Sequence, residues 1–233
     1  MRDSSGSALT AVITTLTDNS GEVPPPTDPL VIRILEAASD AVAKIGWTRL
    51  TMRDVAARAG VGRATLYRHF AGKEHVRDAI VVREFGEFMR EMGERRHPDM
   101  SAEEAMLAST SFLLDFVRTN PILTRLREID RETLLRITND PEIIAAGATL
   151  SAAQWQTQLY GEQPISDAVA LKLRTAGEIT TRLSLSLMTS PDTAADLSTP
   201  ETTREFIRSF ILPILPTPST ATPATPSNHK TSQ

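Results

Sequence analysis

Apolar residues recur every three or four positions through most of residues 29–215, and strict apolar–polar alternation is absent. That period predicts helices and no sheet. Leu30, Ile34, Ala37, Ala38, Ala41 and Ile45 form the stripe of a first helix. It starts at Pro29, a residue suited to the first helical position, and Gly46 is expected to close it. Thr51 to Phe70, TMRDVAARAGVGRATLYRHF, then holds two shorter patterns around a glycine turn. Thr51 with Asp54 reads as a capping box. Met52, Val55, Ala56 and Ala59 share the apolar face behind it, and Gly60 suits the left-handed close of a helix. Gly62 opens the next helix, which is expected to bury Ala64, Leu66 and Phe70. A long helix runs from Lys73 to about Arg96, weakened by Gly86 and Gly93 and ended by His97-Pro98.

The remaining segments carry the same period. Ser101 with Glu104 is a second capping box, opening a helix to about Thr119 with Ala105, Ala108, Phe112 and Phe116 on one face. Further helices are expected from Pro121 to Ile137, from Pro141 to about Tyr160 and from Ser166 to about Thr189. Thr199-Pro200 opens the last one, and Pro213 and Pro216 terminate it. The expectation is an all-α chain of about nine helices. Residues 1–28, which include Pro24-Pro25-Pro26, and residues 216–233 are rich in Ser, Thr and Pro. Both read as disordered ends.

Two helices of about eight residues joined by a tight glycine turn are the signature of a helix-turn-helix. The second helix of such a unit enters the DNA major groove. Arg63, Thr65, Tyr67, Arg68 and His69 are left pointing away from its apolar side. Charge agrees: from Arg49 to Arg77 there are seven Lys or Arg against Asp54 and Glu74, a local +5 in a chain of net charge −4. A basic patch on an acidic chain suits a phosphate-facing surface. An arginine-rich solvated helix face is the plainer alternative.

The stretch TMRDVAARAGVGRATLYRHFAGKEHV resembles the DNA-binding domain of the TetR family of bacterial transcription regulators. The matching positions are Thr65, Leu66, Tyr67, His69, Phe70 and Lys73, and the resemblance runs from Ile34 to about Phe88. It implies a DNA-binding domain at residues 29–75, with the helix-turn-helix at 51–70. A helical ligand-binding and dimerisation domain would follow at 76–215. It implies base and phosphate contacts from Arg63, Thr65, Tyr67 and His69, and phosphate contacts from Arg49, Thr51 and Lys73. His69 also reads as a capping or packing histidine. The resemblance further implies a homodimer on palindromic double-stranded DNA, and repression relieved by a small-molecule effector.

The 233 residues are 40 % hydrophobic, enough for a sizeable core, and no run approaches the roughly 20 apolar residues of a membrane span. The N-terminus does not read as a signal peptide, so a cytoplasmic chain without membrane contact is expected. Cysteine is absent, which excludes disulfide and thiolate chemistry. His69, His75, His97 and His229 show no metal-ligand spacing. There is no glycine-rich phosphate loop and no nucleophile elbow. No catalytic residue, metal or cofactor is expected. Met106, Phe112, Phe116, Trp155 and Tyr160 are candidates to line an effector pocket, and each also reads as core filling of a bundle. Val169, Leu173, Ala176, Leu183 and Leu187, with Phe206, Phe210 and Ile214, are expected to form the dimer face, or else to be buried within one chain. A regulator that answers no ligand, an activator, or a helical carrier or enzyme that does not touch DNA are the competing readings. The local +5 counts against the last.

Overall fold

Asp28 starts the first helix, α1 (Pro29–Arg49): its Oδ1 accepts the Leu30 N–H at 2.8 Å, filling a donor that helix geometry leaves open. The structure, a computed structural model, describes residues 27–97 and 99–217. The expected arm at 1–28, apart from residues 27–28, and the tail at 216–233, apart from 216–217, lie outside the described residues, as do Pro98 and His229. Next come α2 (Met52–Ala59), α3 (Arg63–His69) and α4 (Lys73–Glu94). They are followed by α5 (Ala102–Thr119), α6 (Pro121–Ile129) and α7 (Arg131–Thr138). The chain continues with α8 (Pro141–Tyr160), α9 (Asp167–Thr189) and α10 (Pro200–Phe206). A π-helical turn (Ile207–Ile211) and a 3-10 turn (Leu212–Ile214) close it. Among the described residues the fold is all-α, with ten α-helices.

The extra helix comes from the segment 121–137, which breaks at Asp130 (φ −139°, ψ 47°) instead of running through. The break has a long-range cause. Thr48 Oγ1 donates to Asp130 Oδ2 at 2.9 Å, and Ile129 packs under Gly46. Gly46 interrupts α1 as expected. It bends the backbone (φ 74°, ψ 168°), and another turn follows that buries Trp47. A Cβ at position 46 would overlap Ile129 Cδ1 and lie 2.9 Å from its Cγ1.

Two cores result. One joins α1, α2 and α3 to the start of α4, with Ile34, Leu35, Val42, Val55 and Leu66 at its centre. Leu126 of α6 and Leu134 of α7 belong to the same core, so the helix-turn-helix end and the bundle share packed side chains. The other lies between α5, α8, α9 and the C-terminal turns, around Leu107, Leu114, Trp155, Leu173 and Ile207. Arg127 pins these layers: its Nε donates to the Met188 carbonyl at 2.9 Å and its Nη2 to the Val117 carbonyl at 3.3 Å. Those carbonyls belong to the last turns of α9 and α5, where helices leave acceptors open.

Three apolar expectations change. Ala64 is exposed, while Leu66 and Phe70 are buried as expected. In α9, Leu173, Ala176 and Leu187 are buried within the chain, and Val169 and Leu183 are half-buried. The apolar residues that α9 presents outward are Leu171 (67 % exposed) and Ile179 (48 % exposed). The final helix is shorter than expected, and its π turn places Phe210 outward at 63 % exposure.

Gly46 sits in a backbone region open almost only to glycine, where another residue costs about 1–3 kcal/mol. Gly46→Ala should therefore lower the urea unfolding midpoint. Ile129→Ala in that background should return only the part due to overlap, leaving the backbone cost in place.

Candidate nucleic-acid interface and cavity

Local grammar builds the helix-turn-helix as the sequence suggests. Thr51 Oγ1 accepts the Asp54 N–H at 3.2 Å, and Asp54 Oδ2 accepts the Thr51 N–H at 3.1 Å. The hydrogen bond from the Thr51 hydroxyl is the main reason that the Asp54 carboxyl is held below the usual aspartate range. At the other end of α2, Gly60 is left-handed (φ 64°, ψ 36°). The Val61 N–H donates to the Ala56 carbonyl at 3.0 Å and the Gly60 N–H to the Ala57 carbonyl at 3.3 Å, a Schellman close. Val61 then packs against the core and α3 leaves at an angle to α2.

Leu66 anchors α3 at full burial, which fixes what its other faces show. Arg63, Ala64, Tyr67 and Arg68 are exposed, and Thr65 and His69 are half-buried. The Arg63 guanidinium sits 6.0 Å from the Tyr67 ring centre, at the outer limit of a cation–π contact. Arg49 and Thr51 are exposed. Lys73 Nζ donates to the Thr48 carbonyl at 3.4 Å, which brings this cation to the end of α1. The seven candidate DNA-contacting residues thus come from the end of α1, the cap of α2, the length of α3 and the start of α4.

A cavity of about 270 Å³ lies inside the bundle, below this unit. Its wall draws on Trp47 of α1, Phe85 and Phe88 of α4, Phe116 of α5, Leu123 of α6, Leu150 of α8 and Leu185 of α9. Polar groups are few: Arg77, Glu84, Asn120, Ser151, Gln154, Thr181 and Ser184. A mostly apolar hollow with a few polar groups suits a small molecule, and its volume falls just below the usual range of about 300–1,000 Å³. Among the described residues no group of three or more His, Asp or Glu is placed to hold a metal ion. No described helix is long and apolar enough to cross a membrane.

Residues 34–80 match the bacterial regulatory proteins of the tetR family. Over those residues the chain is similar to that family. An uncharacterised HTH-type transcriptional regulator of Mycobacterium tuberculosis is 36 % identical over 91 residues, covering 39 % of this chain and 45 % of that protein. YhgD of Bacillus subtilis, also an uncharacterised HTH-type transcriptional regulator, is 28 % identical over 99 residues, 42 % of this chain and 52 % of that protein. The chain thus spans about half the length of the relatives it matches. Two solved structures share the fold over most of the chain. The TetR family repressor AlkX from a Dietzia strain, implicated in biodegradation of n-alkanes, is 22 % identical with a TM-score of 0.51, covering 79 % of this chain and 96 % of that one. The fatty acid degradation regulator FadR from Bacillus halodurans is 16 % identical with a TM-score of 0.55, covering 78 % and 96 %.

The five sequence candidates for the pocket divide. Phe116 lines the cavity. Phe112 lies outside the lining; its ring is stacked 5.2 Å from Phe88 and lies under the Arg95 guanidinium at 3.8 Å. Met106 and Trp155 are buried in the second core, and Tyr160 packs against it. Trp47, Glu84, Phe85 and Phe88 line the cavity and escaped the sequence reading. Glu84 carried a signal: it continues the spacing of four set by the apolar Val76 and Ile80.

Burial pushes the Glu84 carboxyl above its usual value, and Glu87 adds to this; the Ser39 hydroxyl, Arg83 and Asn120 oppose it. The folded chain therefore keeps this proton to a higher pH than the unfolded chain does. The stability this confers is complete below the ordinary glutamate range and is lost as pH rises through the raised value. At neutral pH Glu84→Gln should unfold at a higher temperature than wild type, and the gap should narrow as the buffer is acidified. Calorimetry of both proteins across that range checks it.

Proposed function

We propose that the chain is a homodimeric transcriptional regulator that binds a palindromic operator sequence-specifically and acts in the cytoplasm. It is a repressor, released when an apolar or amphipathic small molecule fills the bundle cavity. The observation that carries this reading is the outward face of α3, with Arg63, Tyr67 and Arg68 exposed on a helix held by Leu66. The regulators among its relatives and the repressor named among its structural neighbours support it.

Release requires that the ligand prefer the state that does not bind DNA. The cavity gives a route. Its wall includes Trp47, at the end of α1, together with α4 and α6, so a ligand pressing there moves elements packed against the helix-turn-helix. Two bound half-sites lie about one DNA turn apart, roughly 34–36 Å, and a shift of α4 in each protomer alters that spacing. The names of the alkane- and fatty-acid-linked neighbours favour a ligand with an alkyl chain.

Dimerisation falls to the surface that the fold leaves apolar: Leu171 and Ile179 on α9 and Phe210 beyond α10. Large apolar side chains left exposed in this way are where an interaction surface is sought. Leu171→Arg together with Phe210→Arg should leave a folded monomer that no longer shifts operator DNA. Sedimentation at micromolar concentration reads the assembly state, and a wild-type monomer there would overturn the dimer.

The DNA contacts are separable by base and by salt. Arg63→Ala should relax preference at one operator position, since a bidentate arginine–guanine contact is worth about 1–3 kcal/mol of discrimination. Lys73→Ala should weaken binding to all sequences alike and lower the salt slope by about 1. Mobility shifts on the chain's own upstream region, across a salt series, measure both. No shift at low salt on that region or on genomic fragments would end the regulator reading.

A further inference from the structure

The cavity wall carries two charged residues, Arg77 and Glu84, and they are not equivalent. The Arg77 guanidinium already meets carboxylates of its own helix, Glu74 at 2.5 Å and Asp78 at 3.4 Å. Glu84 accepts a hydrogen bond from the Ser39 hydroxyl at 3.2 Å, and among the described residues no cation stands within ion-pair distance of it. The adjacent Arg83 turns instead to Glu87 at 2.9 Å and towards Glu36 at 3.9 Å. On the other side of Glu84 lies a second hollow of about 200 Å³, lined by Glu36, Ser39, Asp40 and Arg83. At this carboxyl, then, Glu87 adds negative charge and Arg83 partly offsets it, while Glu36 and Asp40 line the hollow behind it.

We propose that the effector is an apolar molecule with one protonated amine head, which docks on the Glu84 carboxylate while its tail fills the cavity. This rests on the cavity being the effector site, as argued above. A half-buried carboxylate facing apolar walls is costly when its only donors are hydroxyl and amide groups. An ammonium group supplies the missing counter-charge and up to three donors. A carboxylate head would meet like charge at the same place, and Arg77 is already engaged by Glu74 and Asp78. The upward push on the Glu84 carboxyl fits the same picture, since a bound cation would reverse it. The tail has room: about 270 Å³ is the space of roughly nine water-sized groups at about 30 Å³ each. Phe85, Phe88, Leu123 and Leu150 offer it apolar contact.

The head group also explains how such a ligand acts on the DNA-binding end. Ser39 belongs to α1, so an amine that takes up the Glu84 oxygens competes with a hydrogen bond between α4 and α1.

Octylamine, 1-octanol and octanoate share a tail and differ in head. Calorimetric titration of the full chain with each should show octylamine binding about tenfold or more tighter than octanoate, as a charged hydrogen bond gained rather than opposed predicts. Glu84→Gln and Glu84→Met should each remove that preference while keeping affinity for the alcohol. Leu150→Trp, which fills the cavity, should weaken all three. If octanoate binds wild type as well as octylamine does, or if both Glu84 variants keep the amine preference, the head-group assignment is wrong and the cavity reading stands. If none of the three binds wild type, or Leu150→Trp changes nothing, the cavity reading fails and takes the head-group assignment with it.

Discussion

The close approach of Gly46 to Ile129 is the constraint from which much of this architecture follows. A bend of the kind Gly46 makes is open almost only to glycine, and here it does two things at once. It lets the end of α1 settle on the start of the α6–α7 break, and it turns Trp47 inward so that the ring becomes cavity wall. The Thr48–Asp130 hydrogen bond lies beside it. One short segment thus touches the helix-turn-helix core, the bundle and the hollow between helices. Because Leu126 and Leu134 sit in the same core as Leu66, a displacement of α6 is felt at the base of α3 through packed side chains. Close-packed interiors transmit such shifts instead of absorbing them.

What could be read from the sequence was what local chemistry decides. The caps at Thr51–Asp54 and Ser101–Glu104 form as their spacing suggests, since a hydroxyl three residues before a carboxylate needs no distant partner. Gly60 is left-handed because the turn demands it, and α3 shows Arg63 and Tyr67 because Leu66 takes the inward position. These features also carry the family resemblance. Distant packing decided the rest. The stripe in α9 was real, but a period of 3.6 says which residues share a face and not what that face meets; the bundle claimed it. Of the large aromatics proposed for the pocket, Phe116 alone lines the cavity. Phe112 is held by Phe88 and Arg95, and Trp155 fills a core, whereas Trp47 packs in the first core and also reaches the cavity. The break at Asp130 had no local signal, because its cause lies at Gly46 and Thr48.

The two sides of the cavity differ in how they are built. Across α8 and α9 the contact is nearly backbone to backbone: a Cβ on Gly177 would lie 2.5 Å from the Ala148 carbonyl oxygen, and one on Gly147 would lie 2.6 Å from Thr181 Cγ2. The opposite side is made of longer side chains on α4 and α6, including Met92, Phe85, Ile122 and Leu123. For a chemist elaborating a first hit, that asymmetry sets a direction. Substituents grown towards Gly147 and Thr181 meet a fixed surface and select sharply by shape. Those grown towards Met92 and Leu123 meet rotamers that can rearrange, and so tolerate a family of related tails.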